Sequence, residues 1–90
     1  MADHTNLYTT TPKTIVLYST TWCPDCKRTR AFLNEHNVSY LDVDIGKDNA
    51  AMTFLEGISK QRIHIPTVIF PDGTIIIEPS NEDLRVKLGL

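Results

Sequence analysis

The chain has 90 residues and a mass of 10.2 kDa, the size of one small domain, which excludes a two-domain enzyme with a large cofactor pocket. Its apolar fraction of 41% and charged fraction of 22% are typical of a folded globular protein rather than of a disordered chain. The formal net charge of −2 argues against a nucleic-acid partner, since proteins that bind nucleic acids normally present a basic face.

The N-terminal segment differs in composition from the rest of the chain. Residues 1–12 are polar and rich in threonine, and they end at Pro12. They contain neither the basic start nor the apolar stretch of a secretory signal, and no later apolar run approaches the ~20 residues of a membrane span. We therefore expect a flexible tail over residues 1–12, one domain over residues 13–90, and a cytoplasmic protein with no membrane partner.

A strand followed by a helix opens the predicted domain. Residues 14–19 begin with β-branched side chains and are continuously apolar from 15 to 18, as expected of a strand that is buried on both faces. Pro24 suits the first turn of a helix, where its missing N–H costs nothing, and the helical pattern extends to about His36. The inner face of this helix is predicted to carry Cys26, Thr29, Phe32 and Leu33.

A second strand and a second helix follow. In residues 40–45 the apolar side chains Leu41, Val43 and Ile45 alternate with polar ones, which predicts a strand with one wet face. Acidic residues on that wet face indicate a position near the edge of the sheet. Asp48 can cap the following helix, which we expect to end near Gly57.

The last third of the chain predicts a hairpin and a short helix. Two β-branched runs, residues 67–70 and 74–77, flank the sequence Pro-Asp-Gly, which is typical of an antiparallel hairpin. Ser80 and Asp83 match the start of a capped helix. The order β-α-β-α-β-β-α predicts an α/β fold in which three helices cover a four-stranded mixed sheet.

Cys23 and Cys26 are the two cysteines, and they lie where the first strand passes into the first helix. A disulfide between them would close a very short loop, so it would stabilise the fold little. At a helix N-terminus, unpaired N–H groups and the helix dipole favour the thiolate, which is the form that attacks disulfides. Helical spacing brings Cys26 near Cys23 but points it towards the core, so we predict that Cys23 is the nucleophile and Cys26 the resolving thiol.

A metal site is the competing interpretation of the two cysteines. Structural zinc takes four ligands, and the chain adds only the three histidines His4, His36 and His64, which are scattered along it. An iron–sulfur cluster shared between two chains stays open as an alternative. Redox chemistry is favoured because the Cys-x-x-Cys pair stands near a βαβ pattern, and we predict no metal ligands.

Three motifs together resemble the glutaredoxin family of the thioredoxin fold over residues 13–90. They are Trp-Cys-Pro-Asp-Cys at 22–26, Ile-Pro-Thr-Val at 65–68 before the Pro-Asp-Gly turn, and the serine-capped last helix. Thr-Thr-Trp-Cys at 20–23 and Pro-Ser at 79–80 look most like the mycoredoxin branch. The resemblance implies a thioredoxin-like fold and thiol–disulfide exchange.

The resemblance also implies a set of binding residues. It implies a cis bond before Pro66, and a backbone at Ile65 that pairs with an incoming peptide-like thiol. The start of the last helix, at Ser80 and Asn81, lies where the family holds a substrate carboxylate. Trp22 and Pro24 flank the nucleophile and are predicted to contact the bound thiol, although Trp22 could equally serve only in packing.

The sequence departs from the family at positions that bear on the small thiol. Thr20 stands where many glutathione-binding members carry lysine, and Ile-Glu-Pro-Ser at 77–80 replaces the usual Gly-Gly and acidic pair. These departures leave mycothiol and glutathione both open.

The predicted function is that of a monomeric oxidoreductase without a bound cofactor. It would reduce mixed disulfides of proteins or small molecules and would be recycled by mycothiol or glutathione as co-substrate. One alternative is a redoxin reduced directly by thioredoxin reductase, and another is an iron–sulfur or metal carrier.

Overall fold

A mixed sheet of four strands forms the centre of the protein, and the computed structural model describes residues 7–59 and 62–90. In chain order the elements are β1 (Ile15–Ser19), α1 (Pro24–Glu35), β2 (Tyr40–Asp44), α2 (Asn49–Ser59), β3 (Thr67–Ile69), β4 (Ile75–Ile77) and α3 (Asn81–Leu88). The strands lie in the order β2-β1-β3-β4, with β1 parallel to β2 and antiparallel to β3, and with β3 antiparallel to β4. The predicted element order and the thioredoxin-like mixed sheet are confirmed.

Strand β1 is buried along its whole length because the sheet carries an apolar core on each face. Successive side chains of a strand point to opposite faces, so Ile15 and Leu17 enter one core while Val16 and Tyr18 enter the other. The first core also contains Phe32, Leu33, Val68, Phe70 and Leu84. The second core also contains Val43, Ile45, Ala51, Leu55 and Ile69. The continuous apolar run in the sequence is thus explained by two covered faces.

Strand β2 lies at the edge of the sheet, as its acidic residues predicted. Val43 and Ile45 enter the second core, whereas Leu41 is 38% exposed. The expectation that Leu41 faces inward with them is therefore wrong. A period-two pattern assigns a side chain to a face of the sheet, but it does not show whether a helix covers that part of the face.

Helix α2 begins as predicted and ends at Ser59, close to the predicted end near Gly57. Asp48 Oδ1 accepts a hydrogen bond from the amide of Ala51 at 3.0 Å, which is the expected N-cap contact. The helix continues past Gly57 to Ser59, and Ile58 still packs against the second core. Burial of an apolar side chain thus outweighs the low helix propensity of a single glycine. In the described parts of the chain, no helix is long and apolar enough to cross a membrane.

Residues 7–12 contact the domain. Leu7 and Tyr8 pack against the second core, and Pro12 is fully buried. The amide of Tyr8 donates to the hydroxyl of Tyr18 at 3.2 Å, and the Tyr8 hydroxyl donates to Asp48 Oδ2 at 2.7 Å. Residues 1–6 lie outside the described residues, so the flexible tail and the domain boundary at residue 12 stay predictions.

Helix α3 begins with the contacts that its sequence predicted, and a glycine ends it. Ser80 Oγ accepts from the amide of Asp83, and the Asp83 carboxylate accepts from the amide of Ser80, each at 3.0 Å. This capping box satisfies two backbone donors at the start of the helix. Gly89 ends the helix with a φ of 72°, a left-handed conformation that glycine adopts without strain.

Three carboxylates around α3 make stability depend on acidic pH. The ammonium group of Lys87 lowers the pKa of Asp72, the Arg85 guanidinium lowers that of Glu82, and the Ser80 amide lowers that of Asp83. Because these groups bind protons less readily when folded than when unfolded, their stabilising contribution is present above pH ~4 and is lost on further acidification.

We therefore expect the free energy of unfolding to fall as the pH drops below about 4, as measured by urea titrations at several pH values. The variant with Asp72→Asn, Glu82→Gln and Asp83→Asn should show a shallower dependence over the same range. An equal slope in the two proteins would contradict this assignment.

Candidate active site

Cys23 caps the N-terminus of α1 with its own sulfur. Its backbone is extended (φ −83°, ψ 117°), and its Sγ accepts a hydrogen bond from the amide of Cys26 at 3.2 Å. Pro24 occupies the first turn of the helix, where its missing N–H leaves no donor unpaired. The Cys23 residue is buried, with 7% of its surface exposed. The predicted placement of this cysteine at a helix N-terminus is confirmed, and its role as nucleophile stays a prediction.

Cys26 lies one turn further along α1 and is completely buried. Both cysteines are free thiols. Burial, together with the hydrogen bond to Cys23, raises the pKa of the Cys26 thiol to about 12. A backbone hydrogen bond from Thr20 and the charge of Arg30 act in the opposite direction. Cys26 is therefore held in its protonated form near neutral pH.

Pro66 lies at the same end of the sheet as the cysteines. The peptide bond between Ile65 and Pro66 is cis, as the family resemblance implied, and Pro66 is buried. It directly precedes Thr67, which pairs with Tyr18 one residue before the end of β1. The segment around Pro66 and the loop that leads to Cys23 therefore lie at the same end of the strands. Ile65 is half-buried and packs against the second core.

The side chains that flank Cys23 are open to solvent. Trp22 is 77% exposed and Pro24 is also exposed. The alternative in which Trp22 serves only in packing is disfavoured, because most of its surface touches nothing in the protein. A large exposed aromatic residue beside a reactive group is a typical contact point for a partner.

The start of α3, where Ser80 and Asn81 were predicted to bind a carboxylate, is joined to α1 by Arg28. The guanidinium of Arg28 donates to Asn81 Oδ1 at 2.6 Å and to the carbonyl oxygen of Pro79 at 2.7 Å. The Ser80 hydroxyl and amide take part in the capping box. Arg28 thus places a positive charge next to the predicted carboxylate position, a feature that no local sequence signal revealed.

A second arginine lies behind Cys26. Arg30 donates through Nη2 to the carbonyl oxygen of Thr20 at 2.8 Å and to Ser19 Oγ at 2.9 Å, and through Nε to Asp42 Oδ2 at 2.6 Å. Ser19 Oγ in turn donates to Asp42 Oδ1 at 2.6 Å. The Arg30 side chain is 23% exposed. The network joins α1 to the carboxyl end of β1 and to the edge strand.

His64 and Glu78 lie near Pro66. The imidazole Nδ1 of His64 lies 3.9 Å from a carboxylate oxygen of Glu78, and the amide of Glu78 donates to the carbonyl oxygen of Pro66 at 2.7 Å. Within residues 7–59 and 62–90, no three His, Cys, Asp or Glu side chains are grouped so that they could hold a metal ion.

Known proteins with similar sequences include a glutaredoxin and a mycoredoxin. The glutaredoxin family profile matches residues 15–76. A protein of Mycobacterium tuberculosis named as a glutaredoxin is 32% identical over 74 residues, covering 82% of this chain and 88% of the relative. Mycoredoxin 1 of Corynebacterium glutamicum is 27% identical and covers 82% of this chain and 91% of the relative.

Solved structures agree with the fold. A mutant of a thioredoxin-like protein superposes with a TM-score of 0.76 at 31% identity, covering 86% of this chain and 96% of that one. A glutaredoxin from Archaeoglobus fulgidus superposes with a TM-score of 0.69 at 23% identity, covering 82% and 84% respectively.

Proposed function

Because the chain belongs to the glutaredoxin family and is a thiol–disulfide oxidoreductase, we propose that it reduces mixed disulfides through Cys23 and that a low-molecular-weight thiol recycles it. The observation that supports this route is the contrast between the two sulfurs. Cys23 caps a helix and accepts an amide hydrogen bond, whereas Cys26 is fully buried and its pKa is raised to about 12. A thiol that stays protonated competes weakly with a small thiol for the intermediate.

The proposed cycle has two exchanges. Cys23, as the thiolate, attacks the small-thiol sulfur of a mixed disulfide, and the substrate sulfur leaves and takes up a proton. Cys23 is then joined to the small thiol. A second small-thiol anion attacks that small-thiol sulfur, which releases the Cys23 thiolate and forms the symmetrical disulfide of the small thiol. An NADPH-dependent reductase returns that disulfide to two thiols, and no cofactor is bound to the protein.

Within this proposal, mycothiol is the first candidate for the small thiol and glutathione is the second. Thr20 stands where a lysine would bind the carboxylates of glutathione, and it is only 4% exposed and uncharged. The Glu78 carboxylate lies 3.9 Å from the imidazole of His64, two residues before Pro66, and a negative charge there disfavours a doubly carboxylated thiol. Mycothiol is sugar-based and uncharged, so it does not require these charges, and a relative of this chain is named mycoredoxin.

The test is to supply one mixed-disulfide substrate to the purified protein and to follow NADPH oxidation with each reductant in turn. We expect turnover with mycothiol and its reductase, and less with glutathione and its reductase. Turnover with thioredoxin reductase alone, with no small thiol present, would support the alternative of a directly reduced redoxin. No turnover with any of the three systems would contradict the proposal.

Cys26→Ser should retain most of the activity in the mycothiol-coupled assay, within about twofold of the natural sequence. The expected reason is that the second exchange uses the small thiol and bypasses Cys26. Steady-state rates of the two proteins at equal mycothiol concentrations measure the effect. Loss of all turnover in Cys26→Ser would show that the one-thiol route is wrong.

The remaining parts of the proposal concern partners and location. We propose a cytoplasmic monomer that acts on disulfide-containing proteins. The iron–sulfur alternative requires cysteines from two chains, and Pro24 stiffens the turn that would have to contact the cluster. It predicts a dimer with visible absorbance after anaerobic purification, whereas we expect a colourless monomer.

A further inference from the structure

Arg30 occupies a position from which its charge acts on Cys26. The two residues are four apart on α1, so their side chains are neighbours on one face of the helix. The guanidinium is held there by Ser19 Oγ, the carbonyl oxygen of Thr20 and the carboxylate of Asp42. Its side chain is only 23% exposed, so solvent screens the charge less than at the surface.

Thr20 connects the two groups through its backbone. Its carbonyl oxygen accepts a hydrogen bond from Arg30 at 2.8 Å, and a backbone hydrogen bond from Thr20 lowers the pKa of Cys26. The sulfur and the guanidinium are therefore anchored to the same residue at the end of the loop that follows β1. A fixed positive charge in this place stabilises a negative charge on the Cys26 sulfur.

The influence of Arg30 matters most in the intermediate where Cys23 is joined to a small thiol. In the reduced protein, the hydrogen bond and the charge of Cys23 both raise the pKa of Cys26. In the mixed disulfide Cys23 carries no charge. Burial then still raises the pKa of Cys26, while the Thr20 backbone hydrogen bond and the charge of Arg30 lower it. The charge of Arg30 is itself partly balanced by Asp42.

We propose that Arg30 is a positioning residue that sets how fast Cys26 resolves the mixed disulfide on Cys23, and thereby sets the share of turnover that leaves by the two-thiol route. The inference rests on the proposed function, because it needs Cys23 to form the mixed disulfide first. In the step concerned, Cys26 loses its proton to solvent and its thiolate attacks the Cys23 sulfur. The bond between Cys23 and the small thiol breaks, the small thiol leaves as an anion, and the Cys23–Cys26 disulfide forms.

The experiment mixes the reduced protein with one equivalent of dithiodipyridine, an uncharged aromatic disulfide. Attack by Cys23 releases the first thiopyridone, and resolution by Cys26 releases the second in a phase that does not depend on protein concentration. Arg30→Gln should leave the first phase unchanged and slow the second by at least about threefold. That figure corresponds to a rise of about one unit in the pKa of Cys26. Such a rise lowers the thiolate fraction about tenfold, while the remaining thiolate becomes about threefold more reactive.

Two further variants separate charge from structure. Arg30→Lys keeps the charge and should recover most of the second phase. Asp42→Asn removes the negative charge beside Arg30 and should make the second phase faster, although it perturbs the same network. A merely structural role for the network predicts slowing in every case. Arg85→Gln, which removes an exposed arginine of α3 that pairs with Glu82, is the matched control and should change neither phase.

The outcomes separate the proposed function of the protein from the role of Arg30. Absence of a first phase in the natural sequence would overturn the proposed function itself. A normal first phase with an unchanged second phase in Arg30→Gln would overturn the role of Arg30 alone. Slowing of the second phase in Asp42→Asn, as in Arg30→Gln, would also overturn that role.

Discussion

Cys23→Ser is expected to lower turnover by about 10³-fold or more while leaving the fold intact. A serine hydroxyl is not ionised at neutral pH, and it needs a positioned base before it becomes a nucleophile. The substitution should not disturb α1, because Cys23 is the N-cap residue and serine is among the preferred N-caps. Rates in the mycothiol-coupled assay measure the loss, and thermal unfolding shows that the variant is folded.

Cys26→Ser is the matched control for this result, since it also exchanges one sulfur for oxygen in the same helix turn. It should retain most of its activity, as expected for a thiol that acts after the first exchange. Activity of Cys23→Ser above about a tenth of the natural sequence would place the nucleophile elsewhere. In that case the buried Cys26 would be the remaining thiol to examine, and the one-thiol route would fall with it.

Features of the site that depend on neighbouring residues could be predicted from the sequence. The helix start follows from Pro24, and the capping box of α3 follows from Ser80 and Asp83, because each involves residues at most three apart. The burial of β1 on both faces follows from its unbroken apolar run. The same local logic placed Cys23 at the helix N-terminus.

Features that depend on contacts between distant residues could not be predicted in this way. Arg28 bonds to residues 51 and 53 positions later, and Arg30 bonds to Asp42 across two elements. Helical periodicity places both arginines on a polar face, but it does not show which distant residues they contact. A long side chain can fold back over its own helix, so its charged end lies where periodicity does not indicate. The exposure of Leu41 has the same origin, because the cover over an edge strand is set by tertiary packing.

The two arginines give the site an arrangement that neither cysteine suggests alone. Arg28 joins α1 to the predicted carboxylate position at the start of α3, while Arg30 reaches the Thr20 carbonyl oxygen after β1, and its charge lowers the pKa of Cys26. One helix therefore carries the exchange thiols, a contact to the region where substrate is expected, and a charge that bears on resolution. The contact from Arg28 requires that α3 lie where it does relative to α1.

Leu84→Ala is expected to destabilise the protein by about 2–5 kcal/mol. Leu84 is fully buried in the first core, and the partly buried Leu88 of the same helix packs against that core. A helix of eight residues gains most of its stability from such packing rather than from its own hydrogen bonds. For a domain of this size, each 1 kcal/mol lowers Tm by about 4–8 °C, so the loss should be evident in thermal and urea unfolding.

The control for this substitution lies on the same helix. Val86 is 67% exposed, and Val86→Ala should change stability by no more than about 0.5 kcal/mol. The difference between the two variants isolates the packing of α3, since both shorten an aliphatic side chain at a helical position. A loss below about 1 kcal/mol in Leu84→Ala would mean that α3 is held mainly by its capping box and by the bonds from Arg28. Packing in the first core would then not be what sets its position beside the cysteines.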